Sequence, residues 1–549
     1  MRKKNSHTVI PAVLVQIALL LQGCITSKII TPEDEKPSII QTKGSCETHS
    51  KDSLFYYPES DCWIKPQADP YNLCYFVSAA KQYYSEQSSS SARIKPSATH
   101  YALTVYPKNE SEINQLLSFD GVNLSYVPFG YERLSDDVVP SSMKGNAMCY
   151  TYPFRPNPNI GMPVMYVVWP TEIPIPDNIE YNIEYEAFLP DYSQASIDGT
   201  HNELYEIENI AIGIANPLTK LEAVRGRSNR TLSGRIMNSD NLLGISVPVG
   251  NLKIRVQYGL NIIDNYTASN GNVTISGNIN DNASVYVVYD NDRWRISRKG
   301  SLLAYSLLLG KVSDFWPGSN SFYQPTLSHT YLTIHRAANY FFNDSIIVVP
   351  SCNYSIRINM NEIVADKHSY FTFVLGSPVI ELSNFWAFNN GHHFYSAIHE
   401  LTHFYHYLEK DSISLYNSVD QLIQESFAEY FAWHFSREYY TQKNGGVYNT
   451  SWDWHLGDSA QSWLYTGSSY YSPLYIDLED DFNQYLEKSP LYTYNNDPIS
   501  GLGLLTITVL AIQNDNWAAL KSALSELIGT YYTQAEYNAF ITPYDAYFN

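Results

Sequence analysis

Hydrophobic and polar residues follow two different periods along this chain. Up to about residue 300, short apolar runs alternate with polar residues and end at Pro, Asn or Gly, which is typical of β-strands. From about residue 325, apolar residues recur at steps of three and four, which is typical of helices. This pattern predicts a multidomain protein with a β-rich N-terminal half and, from about residue 325, an α+β domain in which strands come first and helices follow. The 549 residues are enough for two to four domains.

The first half contains several strand candidates. They are His100–Pro107, Met162–Pro170, Asn251–Leu260, Asn272–Ile279 and Ala283–Asp290. The range 46–240 is therefore predicted as a β-rich N-terminal domain. The pair Asn270-Gly271 is a strong turn signal, and it predicts a connection that joins the third and fourth of these strands.

Residues 245–300 resemble the small carboxypeptidase-regulatory-like β-sandwich modules of surface proteins. The resemblance rests on the last three strand candidates and on the Asn270-Gly271 turn. It implies a spacer or accessory module rather than a site of chemistry.

The second half begins with a mixed pattern and ends with helices. A helix is predicted at Tyr331–Phe342, strands at Ser345–Pro350 and Ser369–Ser377, and a helix at Phe394–Leu408. Helical periodicity then continues through "LLTITVLAIQ" and "NWAALKSALSEL" near the end of the chain.

The N-terminus has the features of an export signal. The basic stretch "MRKK" precedes an apolar run, Val9–Leu21, that is too short to span a bilayer. "LQGC" at Leu21–Cys24 resembles a bacterial lipobox, which implies a signal peptide at 1–23 and diacylation of Cys24. Residues 24–45 are predicted as a tether. Together these features predict a lipid-anchored protein of the bacterial cell envelope, with the outer membrane as the expected location.

Charge and cysteine usage narrow the function classes. Fifty-five acidic and 35 basic residues give a net charge of −20. Beyond the N-terminal "MRKK", Lys and Arg form no run that could bind phosphates, which argues against a nucleic-acid partner. Five cysteines follow Cys24, and none belongs to a CxxC zinc pair; they are Cys46, Cys62, Cys74, Cys149 and Cys352. An exported chain permits disulfides, but the sequence leaves their pairing open.

The stretch "HELTH", His399–His403, is an HExxH motif in a helical pattern. On a helix, positions i and i+4 share a face, so His399 and His403 can bind one metal ion. Two imidazoles at this spacing suit zinc, and Glu400 lies where a general base can reach a water molecule. One zinc ion per chain is therefore the predicted cofactor.

A third ligand has two candidates downstream. A metzincin-like continuation would place His406 where that pattern needs glycine for a turn, and Glu409 on the same helix would point away from the metal. The other candidate is Glu425 in "QESFAEYF", a stretch that begins 21 residues after His403 and lies on a second predicted helix. Glu429, one turn later, can accept a hydrogen bond from a ligand imidazole.

These motifs resemble the gluzincin metallopeptidases. "ESFAEYF" is similar to the Asn-Glu-Gly-Phe-Ala-Glu-Tyr-Phe stretch of the aminopeptidase N group, and the spacing of its acids matches the thermolysin group. The resemblance implies that His399, His403 and Glu425 bind zinc, that Glu400 is the base and that Glu429 supports a ligand. It also implies a metallopeptidase domain at 325–549 with a helical C-terminal lobe.

Two departures from the family qualify this assignment. The Gly-x-Met-Glu-Asn strand that holds a free amine in the aminopeptidase N group is absent before His399, which favours an endopeptidase. Gln424 stands where the family carries Asn or Thr.

A hydrogen-bond donor for the oxyanion is expected from Tyr or His. The candidates are Tyr470, Tyr471 and His455 downstream and Tyr416 upstream of Glu425. The predicted function is hydrolysis of peptide bonds in peptide or protein substrates outside the cytoplasm. The alternative is a surface lipoprotein that binds a glycan or protein and carries a vestigial metal core. An intact Glu400 favours the enzyme, because a binding module needs no base beside two ligands.

Overall fold

The computed structural model of the protein covers most of the chain between residues 55 and 548. The residues it describes are 55–57, 62–66, 68–87, 92–119, 122–127, 129, 131–134, 148–149, 162–216, 229–279, 281–298, 301–315, 321–324, 330–350, 355–361, 369–374, 377–383, 389–449, 473–480 and 499–548. These form a mixed α/β protein of two compact units, one of residues 1–226 with 258–261 and the other of 227–257 with 262–549.

The first unit combines mostly antiparallel strands with helices; β1 and β6 pair in parallel. Its strands are β1 Phe55–Tyr57, β2 Cys62–Pro66, β3 His100–Tyr106, β4 Asn123–Ser125, β5 Tyr131–Leu134, β6 Met148–Cys149, β7 Met165–Pro170 and β8 Glu180–Ala187. Its helices are α1 Leu73–Glu86, α2 Glu110–Leu117, α3 Tyr192–Ile197 and α4 His201–Ala215. One sheet has the order β4-β7-β3-β8 and the other β5-β2-β1-β6. The strands predicted at β3 and β7 are confirmed.

The helices of this unit correct the prediction of a β-rich N-terminal domain. Helix α4 buries Leu204, Ile207 and Ala211 at steps of three and four, which is a helical pattern. Helix α1 begins at Asn72, whose side chain accepts a hydrogen bond from the backbone N–H of Cys74. Cys74 also takes part in a disulfide bond.

The described residues of the second unit form three four-stranded sheets and further helices. Its strands are β9 Asn229–Asp240, β10 Ile245–Pro248, β11 Lys253–Tyr258, β12 Asn261–Tyr266, β13 Asn272–Asn278, β14 Ser284–Val288, β15 Trp294–Arg298, β16 Ser306–Lys311, β17 Ser321–Gln324, β18 Ile356–Asn361, β19 Tyr370–Val374 and β20 Ser377–Ser383. Its helices are α5 Thr330–Asn339, α6 Asn390–Lys410, α7 Ile413–Ser418, α8 Gln421–Lys443, α9 Leu474–Glu479, α10 Leu504–Gln513, α11 Trp517–Glu526 and α12 Gln534–Phe548. No helix in the described part of the chain is long and apolar enough to span a membrane.

Within residues 245–300, β11 pairs with β12 and β14, whereas several strands of this range also pair with strands outside it. β13 pairs with β9, β14 with β16, and β15 with β18, so three different sheets share this stretch. The predicted connection between the strands at 251–260 and 272–279 is wrong, because Asn261–Tyr266 forms β12 between them. The turn before β13 is nevertheless present: Gly271 has a φ of +80°, and a Cβ there would lie 2.4 Å from the carbonyl oxygen of Ile236.

The central sheet of the second unit has the order β15-β18-β20-β19, with β19 antiparallel to β20. One face of it is apolar and packs against the helices: the Trp294 indole on β15, for example, donates a hydrogen bond to the His335 ring of α5. The other face carries buried polar residues, and the Asn359 amide donates to Glu381 at 2.7 Å. The apolar face is therefore the face that supports the helices.

A buried ion pair joins helix α5 to β9. The Arg336 guanidinium lies 2.9 Å from Asp240 and also donates to Asn238 at 2.6 Å and to the Tyr439 hydroxyl of α8 at 3.0 Å. Both charged side chains are almost fully excluded from solvent, 3% and 0% exposed. Their mutual hydrogen bonds offset the cost of removing both charges from water.

The segment after α5 differs from its prediction. The helix predicted at Tyr331–Phe342 is confirmed as α5 followed by one π-helical turn, Tyr340–Asp344. The strand predicted at Ser345–Pro350 is wrong, because these residues pair with no described strand although Ile347 and Val349 are buried and Val348 is exposed. Alternation of apolar residues indicates an extended chain, but it does not supply a pairing partner.

Candidate metal centre

Two long helices bring the predicted metal ligands together. Helix α6 carries the HExxH motif, and the side chain of Asn389 caps its start by accepting from the backbone N–H of His392. Helix α8 carries Glu425, and Asp420 caps its start in the same way at Leu422. Caps of this kind fix where each helix begins and therefore which residues share its inner face.

The imidazoles of His399 and His403 and the carboxylate of Glu425 form a nearly equilateral triangle. The two Nε2 atoms are 3.3 Å apart, and Glu425 Oε2 lies 3.2 Å from Nε2 of His399 and 3.4 Å from Nε2 of His403. Among the described residues this is the one group of three or more potential ligands close enough to hold a metal ion.

The triangle fits a zinc ion. With bonds of about 2.0–2.1 Å to nitrogen and oxygen, ligands at the corners of a tetrahedron lie about 3.3–3.4 Å apart. All three observed edges match that value. Two imidazoles and one carboxylate also leave a fourth corner open, as catalytic zinc sites require.

Electrostatic coupling within the triangle is strong. Burial alone lowers the pKa of His399, but hydrogen bonds to Glu425 and Glu429 outweigh burial and raise that pKa well above its usual value. Burial alone raises the pKa of Glu425, but the two imidazoles hold it well below its usual range. A cation between these groups would take the place of the shared proton, which is the usual relation between a metal ion and its ligands.

Glu400 follows the first ligand and is buried. Burial raises the pKa of its carboxyl group, against the lowering effect of the two histidines. The backbone N–H of Phe371 donates a hydrogen bond to it, so strand β19 lies directly beside this carboxyl group.

Both imidazoles of the triangle also have a partner at the outer nitrogen, Nδ1. Glu429 lies 3.4 Å from Nδ1 of His399 and accepts a hydrogen bond from Tyr395 at 2.5 Å. The hydroxyl of Tyr416 lies 3.2 Å from Nδ1 of His403. Glu429 therefore lies beside the His399 ring, and Tyr416 contacts the His403 ring from the side that faces away from the triangle.

The remaining candidates are not part of the triangle. His406 is buried, both of its ring nitrogens are without a hydrogen-bond partner among the described residues, and burial lowers its pKa to about 3. Glu409 is exposed and interacts with Tyr405. The candidates that lie outside the described residues are Tyr470, Tyr471, His455 and the lipidation residue Cys24.

Sequence reasoning missed two contributors to the centre. Tyr395 lies four residues before His399, so helical spacing could have placed it on the ligand face. The contact of Phe371 with Glu400 depends on the pairing of β19 with β20, which no local pattern specifies.

No family, curated protein or solved structure matches this chain. The description of the centre therefore rests on its own geometry.

Proposed function

We propose that the protein is a zinc-dependent metallopeptidase of the gluzincin kind that hydrolyses peptide bonds, acting as an endopeptidase. The observation that carries the proposal is the triangle of His399, His403 and Glu425, with edges of 3.2–3.4 Å, next to the buried carboxylate of Glu400. The resemblance of both helices to gluzincin motifs supports the same assignment.

The chemistry of each side chain indicates its role in the reaction. His399, His403 and Glu425 would hold the zinc ion, which supplies a Lewis acid that acidifies water and polarises the scissile carbonyl. Glu400 accepts a proton from the attacking water molecule while the oxygen of that water forms a bond to the carbonyl carbon. It then gives that proton to the leaving amine as the C–N bond breaks.

Strand β19 supports a peptide as the substrate. It is terminal among the described strands of its sheet, and the backbone of Phe371 touches the base. An extended peptide can add to a terminal strand through main-chain hydrogen bonds, which would bring its carbonyl groups past Glu400. Such binding recognises an internal segment of the substrate and requires no free end, which suits an endopeptidase.

Peptide cleavage and metal content test the proposal directly. The purified chain should contain about one zinc ion, lost in His403→Ala, and should cleave a mixed peptide library analysed by mass spectrometry. Glu400→Gln should lower kcat/KM by about 10²- to 10⁴-fold. Glu409→Gln, an exposed acid on the same helix, should leave kcat/KM unchanged. A wild-type protein that holds zinc but cleaves nothing spared by Glu400→Gln would refute the enzyme.

The lipobox resemblance supports an exported protein anchored through Cys24. Labelling of growing cells with a fatty-acid analogue should modify the wild-type chain and leave Cys24→Ser unlabelled. Equal labelling of both chains would contradict the anchor.

A further inference from the structure

The ten residues between helices α6 and α8 contain the short helix α7. Its residue Tyr416 makes one hydrogen bond to His403 and another to Gln424. The side chain of Tyr416 lies 3.2 Å from Nδ1 of His403. The backbone carbonyl of Tyr416 accepts a hydrogen bond from the side-chain amide of Gln424 at 2.6 Å. Gln424 directly precedes the ligand Glu425, so one residue is joined to the second and third ligands at once.

The first bond sets the tautomer of the His403 ring. Nε2 must keep its lone pair to bind a metal ion, so the proton of a neutral ring resides on Nδ1. That N–H then donates to the oxygen of Tyr416. His399 uses the carboxylate of Glu429 for the same purpose, so the two ligand rings have acceptors of different charge.

Tyr416 is held firmly enough to orient a ring. Its side chain is buried and its ring packs edge-on against Phe371, His406 and Tyr407, with centroid distances of 5.6, 5.8 and 6.2 Å. A hydroxyl fixed in this way defines a direction for the His403 ring as well as a tautomer.

The second bond depends on the length of Gln424. The gluzincins that these motifs resemble carry Asn or Thr at this position, and an Asn side chain is shorter by one methylene, or about 1.5 Å. An amide that reaches the Tyr416 carbonyl at 2.6 Å would fall out of hydrogen-bonding range after that shortening. Gln424 thus differs from the residue in the gluzincin pattern, and only its longer side chain can reach the Tyr416 carbonyl.

We propose that Tyr416 and Gln424 form a clamp that sets the tautomer of His403 and holds Glu425 at its observed distance from that ring. They are positioning residues for the metal, and the inference rests on the zinc site of the proposed function. The clamp organises the second and third ligands before the metal binds, so its loss weakens metal binding more than it disturbs the fold.

Zinc affinity measured by competition with a chelator tests the clamp. Tyr416→Phe and Gln424→Asn should each weaken zinc binding by about 10- to 100-fold. The double variant should weaken binding by less than the product of the two effects, because either change opens the same clamp. The visible absorption spectrum of the cobalt-substituted protein should shift in both variants, since ligand geometry changes.

Two variants serve as matched controls. Tyr407→Phe removes a hydroxyl from the same aromatic cluster, and Gln421→Asn shortens an exposed side chain at the start of α8. Both should bind zinc like the wild type, and all variants should melt like the wild type without metal. Zinc affinities for Tyr416→Phe and Gln424→Asn equal to those of the controls would overturn the clamp and leave the peptidase proposal standing. A wild-type chain without zinc affinity would overturn both.

Discussion

Acidification should destabilise the protein, and one measurable part of the effect comes from His335, a buried histidine on α5. The ring of His335 is fully satisfied as a neutral group: its Nε2–H donates to the carbonyl of Gly250 at 3.1 Å, and Nδ1 accepts from the indole of Trp294 at 3.3 Å. Burial lowers the pKa of His335 from 6.5 to about 4, although carbonyl contacts oppose it. A second proton would find no acceptor and would break the bond to Trp294.

The sign and size of the effect follow from that shift. Between pH 6.5 and 4 the unfolded chain binds the proton of His335 and the native chain does not, so stability is complete above pH 6.5 and is lost as the pH falls. At about 1.4 kcal/mol per pKa unit, the loss relative to pH 7 is about 2 kcal/mol at pH 5 and about 3 kcal/mol at pH 4.

Urea unfolding of the wild type and of His335→Gln, both metal-free, isolates this contribution. The Gln amide can donate and accept as the neutral ring does, but it cannot titrate. The free energy of unfolding of the wild type minus that of the variant should fall by about 2 kcal/mol from pH 7 to pH 5. His393 and His406, whose pKa values burial also lowers, are present in both chains and cancel. A difference that stays constant with pH would refute the reasoning.

Two further predictions concern the scaffold and are measured as free energies of unfolding. Gly271→Ala should cost about 2–4 kcal/mol, because a Cβ would lie 2.4 Å from the carbonyl of Ile236; Gly446→Ala, at a similar φ but with nothing within 4 Å, should cost about 1–2 kcal/mol. Equal losses of unfolding free energy in both variants would show that the contact with the Ile236 carbonyl costs nothing. Arg336→Met should cost about 3–5 kcal/mol because it leaves a buried carboxylate unpaired, whereas Arg93→Met, at a pair whose arginine is 51% exposed, should cost less than about 1 kcal/mol. Similar losses for both would contradict the burial argument.

The parts of the centre that the sequence predicted are those encoded by short spacings. His399 and His403 lie one helical turn apart, so the pattern itself places them on one face. Glu425 required a second helix to return beside the first, and resemblance to known motifs supplied that step. The contact of Tyr416 with His403 could not be predicted, because it depends on where the residues between the helices turn.

In the fold, too, elements encoded by a local pattern were predicted, whereas features that depend on distant parts of the chain were not. The helical pattern of α5 was sufficient for its prediction, whereas the apolar alternation at Ser345–Pro350 indicated a strand for which no partner exists among the described residues. Strand β12 was missed because its polar residues lack a clear alternation. Pairing is decided by distant parts of the chain, which a local pattern does not contain.

The ion pair between Arg336 and Asp240 also determines where the chain can be divided. A fragment beginning at residue 325 would include every predicted metal ligand but neither Asp240 nor β15, the strand beside β18. It would have to bury a guanidinium without its carboxylate and leave one side of the central sheet open. The smallest part of the chain able to fold around the centre therefore has to begin before β9, nearly a hundred residues upstream of the region in which the helical pattern starts.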